Sequence, residues 1–194
     1  MFIFKRKYFL YIENTKDIEL ENIKNRNKFT IIYRNQRNIE KIDELKNFRK
    51  KCKCKNIAFL VANNLNLANL LKADGFYLSA YNKSFNAAYR KKNYLLVGSA
   101  HNIKDINLKE KQGCKYILFS RLFKVSYKPK MNYLGINRYN SYVINLKIAS
   151  EIIPLGGINI NNLNKLKIVR SNGIALLSEI KKKPAKIISR LFWK

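Results

Sequence analysis

The sequence predicts a closed (β/α)8 barrel. Short apolar runs alternate with stretches of helical spacing along the whole chain, and no linker, Pro-rich stretch or change of composition interrupts them. There are eight such runs, the number of strands in a barrel of this class. An open, doubly wound sheet uses the same alternation and is the alternative. The 194 residues suit one domain, spanning 1–194, with few insertions.

The strands are read in order. Residues 8–12 and 29–33 are apolar or aromatic throughout or nearly so, as expected of parallel strands covered on two faces. After the second run, Ile39, Ile42, Leu45 and Phe48 recur at helical spacing. Runs at 57–61, 76–78, 94–97 and 116–119 supply strands three to six. Tyr139, Val143, Leu146 and Ala149 outline a helix before the seventh strand at 152–155. A helical segment through Leu163, Leu166 and Val169 leads to the eighth at 174–177, and every connection is expected to be a helix. Gly75, Gly113 and Gly173 each precede a strand and are expected to stop helices in the left-handed conformation.

Forty Lys and Arg against 12 Asp and Glu give a net charge of +28, which concentrates anions around the molecule. The charge runs from Lys5 to Lys194 and forms no single arm or stripe, so nucleic acid is not the expected partner and a phosphorylated metabolite is. Cys52, Cys54 and Cys114 make an odd count without framework spacing, and His101 is the single histidine. Neither a disulfide scaffold nor a zinc site is supported. The first 12 residues, interrupted by Lys5, Arg6 and Lys7, contain no apolar run long enough for a signal peptide or a membrane span. A cytoplasmic protein without a membrane partner is expected.

The ends of the last two strands carry phosphate-binding chemistry. Gly156-Gly157 follows strand seven, where glycines let backbone N–H groups approach a ligand closely, and a helix N-terminus follows them. Leu177 and Ser178 follow on strand eight, with Ser178 placed to cap the next helix or to donate to a phosphate. In these barrels the seventh and eighth loops commonly hold phosphate.

The run Ile153-Pro154-Leu155-Gly156-Gly157-Ile158-Asn159, followed by Asn172-Gly173-Ile174-Ala175-Leu176-Leu177-Ser178-Glu179-Ile180, resembles the closing signature of the thiamine phosphate synthase and thiazole tautomerase (TenI) family. Ala73-Asp74-Gly75-Phe76-Tyr77-Leu78 is similar to its Ala-Asp-Gly-x-His-Leu strand, and Gly98-Ser99-Ala100-His101-Asn102 to its Ser-x-His turn. The similarity continues through the sixth strand and the loop to Lys128. The family's synthases join a pyrimidine diphosphate to a thiazole phosphate, release pyrophosphate and hold Mg2+ on two carboxylates. The resemblance implies that Arg34 and Lys128 act on the diphosphate as catalytic cations. It also implies that Gln36, Asn63, Asn82, Ser99 and Ser126 stand at substrate-binding positions, and that Gly156, Gly157, Leu177 and Ser178 bind phosphate.

Several positions depart from the family pattern. Its Gln-x-Arg-x-Lys reads Ile32-Tyr33-Arg34-Asn35-Gln36, which keeps the arginine and loses the lysine. Its two magnesium carboxylates align with Asn63 and Asn82, so Mg2+ binding is expected to be weakened, because the ion prefers charged oxygen donors. The Thr-x-Thr-Lys loop reads Val125-Ser126-Tyr127-Lys128, the strand-four histidine is Tyr77, and Arg121 replaces the histidine of the tautomerases. Two readings follow: a synthase of phosphorylated pyrimidine and thiazole substrates, or a binder of thiazole phosphate or thiamine phosphate that has lost diphosphate chemistry.

Overall fold

In the computed structural model eight parallel strands close into a barrel in sequence order, the first pairing with the last. The structure describes residues 6–24, 26–35, 40–86, 93–125, 130, 132–177, 180 and 188–189. The strands are β1 Lys7–Ile12, β2 Phe29–Tyr33, β3 Ala58–Ala62, β4 Gly75–Leu78, β5 Leu95–Ala100, β6 Tyr116–Ser120, β7 Glu151–Leu155 and β8 Gly173–Leu176. The closed barrel, not the open sheet, is therefore the architecture.

Alternation along each strand divides the apolar residues into two cores. Phe9, Tyr11, Ile32, Leu60, Tyr77, Val97, Leu118, Ile153 and Ala175 pack together inside the barrel. Their neighbours Tyr8, Leu10, Ile31, Phe59, Phe76, Ile117, Phe119 and Ile174 pack outward in the second core, under the surrounding helices. Neither face meets water, so the strands carry no polar alternation.

Among the described residues the α-helices are α1 Ile42–Cys54, α2 Leu65–Leu70, α3 Ile103–Lys111 and α4 Gly135–Asn145. Not every connection is helical in the expected way. Between β1 and β2 the chain forms three short 3-10 turns at Thr15–Asp17, Leu20–Asn22 and Arg26–Lys28. Its buried Ile18, Leu20 and Ile23 are not spaced to share one α-helical face. Residues 79–86 after β4 contain no helix, and 87–92 of that connection lie outside the described residues. The segment after β7 is a 3-10 helix, Ile160–Ile168, rather than an α-helix. Leu163, Leu166 and Val169 recur every third residue, which suits the three residues per turn of a 3-10 helix.

Two of the three glycines expected to end helices do something else. Gly113 is left-handed, with φ 83°. Gly75 and Gly173 instead begin strands: a Cβ at Gly75 would lie 2.2 Å from the Leu95 carbonyl oxygen, and one at Gly173 would lie 2.7 Å from that of Lys7. Close approach by the neighbouring strand explains them. The left-handed positions before β3 and β4 are Asn56 and Lys72.

Pro154 sits inside β7, where a proline removes a ladder donor. The Leu155 carbonyl accepts from Leu122 and the Glu151 N–H donates to Lys115, so the odd-numbered residues of β7 bond toward β6. The missing N–H of Pro154 consequently faces β8, and there the β7–β8 register consists of Leu155 opposite Ala175.

Candidate site at the barrel mouth

The inward-facing set of each strand continues into polar groups at its C-terminal end. Tyr11 and Tyr77 stack edge to face across the interior, with ring centroids 5.4 Å apart. Burial holds both phenols in the neutral form; Ser99 hydrogen-bonds Tyr77 and pulls the other way, and the charge of Arg34 lowers both. Tyr11 Oη is buried without a partner in hydrogen-bonding geometry, although the Tyr77 phenol faces it. Arg34, half-buried just past β2, is tied down through its backbone N–H to the Ile12 carbonyl at 2.8 Å. Its guanidinium takes part in none of the ion pairs among the described residues. Arg34, Tyr77 and Ser99 are thus brought together.

On the rim beside them, Asn63 and Asn82 meet each other. Asn63 is left-handed, at φ 53°, and donates its N–H to the Tyr77 carbonyl at 3.0 Å. Its Oδ1 accepts from the Ser79 N–H at 3.0 Å and faces Asn82 Nδ2 at 3.4 Å, a long contact. Asn82 Oδ1 accepts from the Ser84 N–H at 3.0 Å. Both amide oxygens, the only atoms these side chains could offer a cation, are turned to internal donors. Among the described residues no group of three or more His, Cys, Asp or Glu could hold a metal. The two amides do not supply the charged oxygen donors that Mg2+ prefers.

Gly156 and Gly157 are left-handed, at φ 95° and 70°. They also lie under the segment after β6: a Cβ at Gly157 would be 2.5 Å from the Phe123 carbonyl oxygen, and one at Gly156 would be 3.1 Å from Arg121 Cβ. The Gly157 carbonyl accepts from Asn162 Nδ2 at 2.8 Å and Asn159 Nδ2 at 3.3 Å. Across that trans peptide the Ile158 N–H points the opposite way. Asn159 and Asn162 form a capping box, which satisfies the Asn161 N–H at the start of the 3-10 helix. Leu177, half-buried, packs onto the inner core at the end of β8. Gln36, Ser126, Lys128 and Ser178 lie outside the described residues.

Two features escaped the sequence reading. Ser120 Oγ and His101 Nδ1 are 2.8 Å apart. Ser120 ends β6 in step with the inward Tyr116 and Leu118, a signal visible in the alternation. Lys109, on α3, is completely buried. It falls three residues after the buried Ile106, but among 40 Lys and Arg nothing in the sequence singles it out.

The molecule is thus a (β/α)8-barrel protein whose polar groups gather at the C-terminal ends of its strands, the usual position of a site in this fold. Residues 6–180 match the thiamine monophosphate synthase family, and the chain belongs to it. It is 30% identical over 141 residues to a thiamine-phosphate synthase of Prochlorococcus marinus, covering 72% of this chain and 40% of that one. With a thiamine-phosphate synthase of Fusobacterium nucleatum it shares 29% identity over 150 residues, 73% of this chain and 72% of that one. Aligned segments span 40%, 61% and 59% of three of the curated relatives, less than two thirds of their length. Among solved structures it resembles thiamine phosphate pyrophosphorylase from Pyrococcus furiosus, with TM-score 0.73, 20% identity, and coverage of 96% and 93% of the two chains. A phosphoribosylanthranilate isomerase from Thermotoga maritima, at TM-score 0.62 and 11% identity, shares the fold. Among the described residues no helix is long and apolar enough to cross a membrane.

Proposed function

We propose that the barrel mouth binds phosphorylated pyrimidine and thiazole substrates and joins them to thiamine phosphate with release of pyrophosphate. The observation that carries this reading is Arg34, an inward guanidinium outside the ion pairs of the described residues and close enough to act on Tyr11 and Tyr77. Such a charge stabilises the negative charge that develops on a departing pyrophosphate. Ser99 and the Gly156-Gly157 turn supply neutral donors on the same rim, and Tyr11 Oη supplies another. Lys128, by family resemblance, is a second cation for the diphosphate.

A second reading, a binder of thiazole phosphate or thiamine phosphate without turnover, is favoured by Asn63 and Asn82, whose amide oxygens are committed to internal donors. Incubation of the purified protein with the pyrimidine diphosphate and thiazole phosphate, with thiamine phosphate read by chromatography, separates them. Turnover above a no-enzyme control supports the synthase. Saturable binding of either phosphate without product sinks the synthase reading and leaves the binder.

A further inference from the structure

Burying an ammonium withdraws it from water at an effective cost of several kcal/mol, and a leucine on the same helix face would avoid that cost. Lys109 nevertheless has no exposed surface. The fold makes room for it: a Cβ at Gly98 would lie 2.8 Å from both Lys109 Cγ and Cδ, so β5 omits a side chain where the lysine stem passes. The ammonium donates to the Asn82 carbonyl at 2.6 Å and to Gln112 Oε1 at 2.9 Å. Gln112 Nε2 donates in turn to the carbonyls of Asn82, at 3.1 Å, and Ser84, at 2.9 Å. Lys109 and Gln112 together fasten the segment after β4 to α3.

That segment forms the rim of the mouth. Asn82 reaches the Asn63 amide after β3, and Asn63 holds the Ser79 N–H after β4. A cation bridging positions 63 and 82 would tie the same two rim segments together. Here the tie is internal: one fixed positive charge beneath the rim and a chain of amide hydrogen bonds above it. Each carbonyl that accepts from an ammonium is polarised, which strengthens the hydrogen bonds connected to it.

We propose that Lys109 is a positioning residue that fixes the Asn82 side of the rim from beneath, and that this rim, joined across by the amides of Asn63 and Asn82, holds its phosphorylated ligand without a metal ion. The ligand half of this inference rests on the phosphate-binding reading above. The rim half stands on its own hydrogen bonds.

Three measurements on the full chain test it. Electron paramagnetic resonance titration with Mn2+ is expected to show no saturable submillimolar site; such a site would overturn the proposal. Calorimetric binding of inorganic pyrophosphate is expected to change by less than about twofold between EDTA and excess Mg2+, whereas tightening by about tenfold or more would overturn it. In Lys109→Met, the Ser79, Asn82 and Ser84 amides are expected to lose hydrogen-exchange protection and pyrophosphate affinity to fall about tenfold, with barrel-strand amides still protected. Unchanged rim protection and unchanged affinity would overturn it. Should Lys109→Met not fold, Gln112→Leu removes two donors to the same carbonyls and is judged by the same amides. If pyrophosphate binds under no condition, the ligand reading falls, while Mn2+ titration and rim exchange still decide the role of Lys109.

Discussion

Ser120 Oγ and His101 Nδ1, at the ends of neighbouring strands β6 and β5, stand 2.8 Å apart. With the hydroxyl donating, Nδ1 is the acceptor and the neutral ring carries its proton on Nε2. Imidazole 15N shifts are therefore expected to report the Nε2–H tautomer at alkaline pH. In Ser120→Ala the tautomer populations should shift, with a stability loss of about 1 kcal/mol in urea unfolding. Unchanged shifts in the variant would mean that the pair does not persist in solution.

Asp74 takes two strong hydrogen bonds, from Arg49 Nη2 at 2.6 Å and from the Phe59 N–H at 2.8 Å. The Arg49 side chain, 10% exposed, also donates through Nε to the Lys72 carbonyl. These contacts hold α1, the end of α2 and β3 together. Asp74→Ala leaves a largely buried cation short of its partner and is expected to cost about 2–3 kcal/mol, read as a lower urea midpoint at unchanged slope. A loss below about 0.5 kcal/mol would place this pair with ordinary surface pairs.

Gly157 and Gly135 are both left-handed, at φ 70° and 72°. A Cβ at Gly135 meets nothing within 4 Å, whereas one at Gly157 meets the Phe123 and Lys124 carbonyls. Alanine at 135 should cost about 1 kcal/mol, the backbone penalty alone. Alanine at 157 should cost more, by about 1–3 kcal/mol, and weaken phosphate binding. Equal losses at the two positions would remove the packing role assigned to Gly157.

Burial pushes the Cys52 and Cys114 thiols up from 9.0 to about 12, and it also raises the phenols of Tyr11, Tyr77 and Tyr139. Above pH 9 the unfolded chain releases these protons while the folded chain keeps them. The folded state then binds more protons, so stability falls as pH rises from about 9 toward 12, by up to roughly 4 kcal/mol per thiol. Lys109, whose charged form burial disfavours, opposes this trend, but it is one group against eight, since Tyr33, Tyr94 and Tyr116 are raised as well. Urea midpoints are expected to decline steeply over that range and less steeply in Cys114→Ala.

Cys54 is exposed, and the other two thiols are buried. A thiol reagent added to the native protein is expected to label Cys54 alone, with all three reacting in urea, as peptide mass mapping would show. Rapid native labelling of Cys114 would indicate that α3 opens from β5.

Legibility followed the range of the interaction involved. Each strand was visible because the composition and length of an apolar run are local, and the eight runs lie within three residues of the observed bounds at every end. The 3-10 helix at Ile160–Ile168 was visible as periodicity and misjudged in type, because a spacing of three fits both helix types over so few turns. Gly75 and Gly173 were misread because their reason is a neighbouring strand about 20 residues ahead or far behind in the chain. Around the mouth, Arg34, Asn63, Asn82 and the glycine pair were named through motif positions, whereas the amide contact between Asn63 and Asn82 was not foreseen.

By itself, the sequence determined the eight strands, their alternation with helical spacing and the family resemblance, since these follow from residue types read along the chain. Only the tertiary structure decided what meets at the mouth: the closure of β1 on β8, the Ser120–His101 pair, the turning of two amide oxygens to internal donors, and the burial of Lys109 over Gly98. The physical reason is that each joins groups on different strands or loops, and only barrel closure sets their separation. A lysine has the same composition and local propensity on a solvated face as it has beneath the rim. What distinguishes the two is the set of carbonyls that the fold brings within reach of its ammonium.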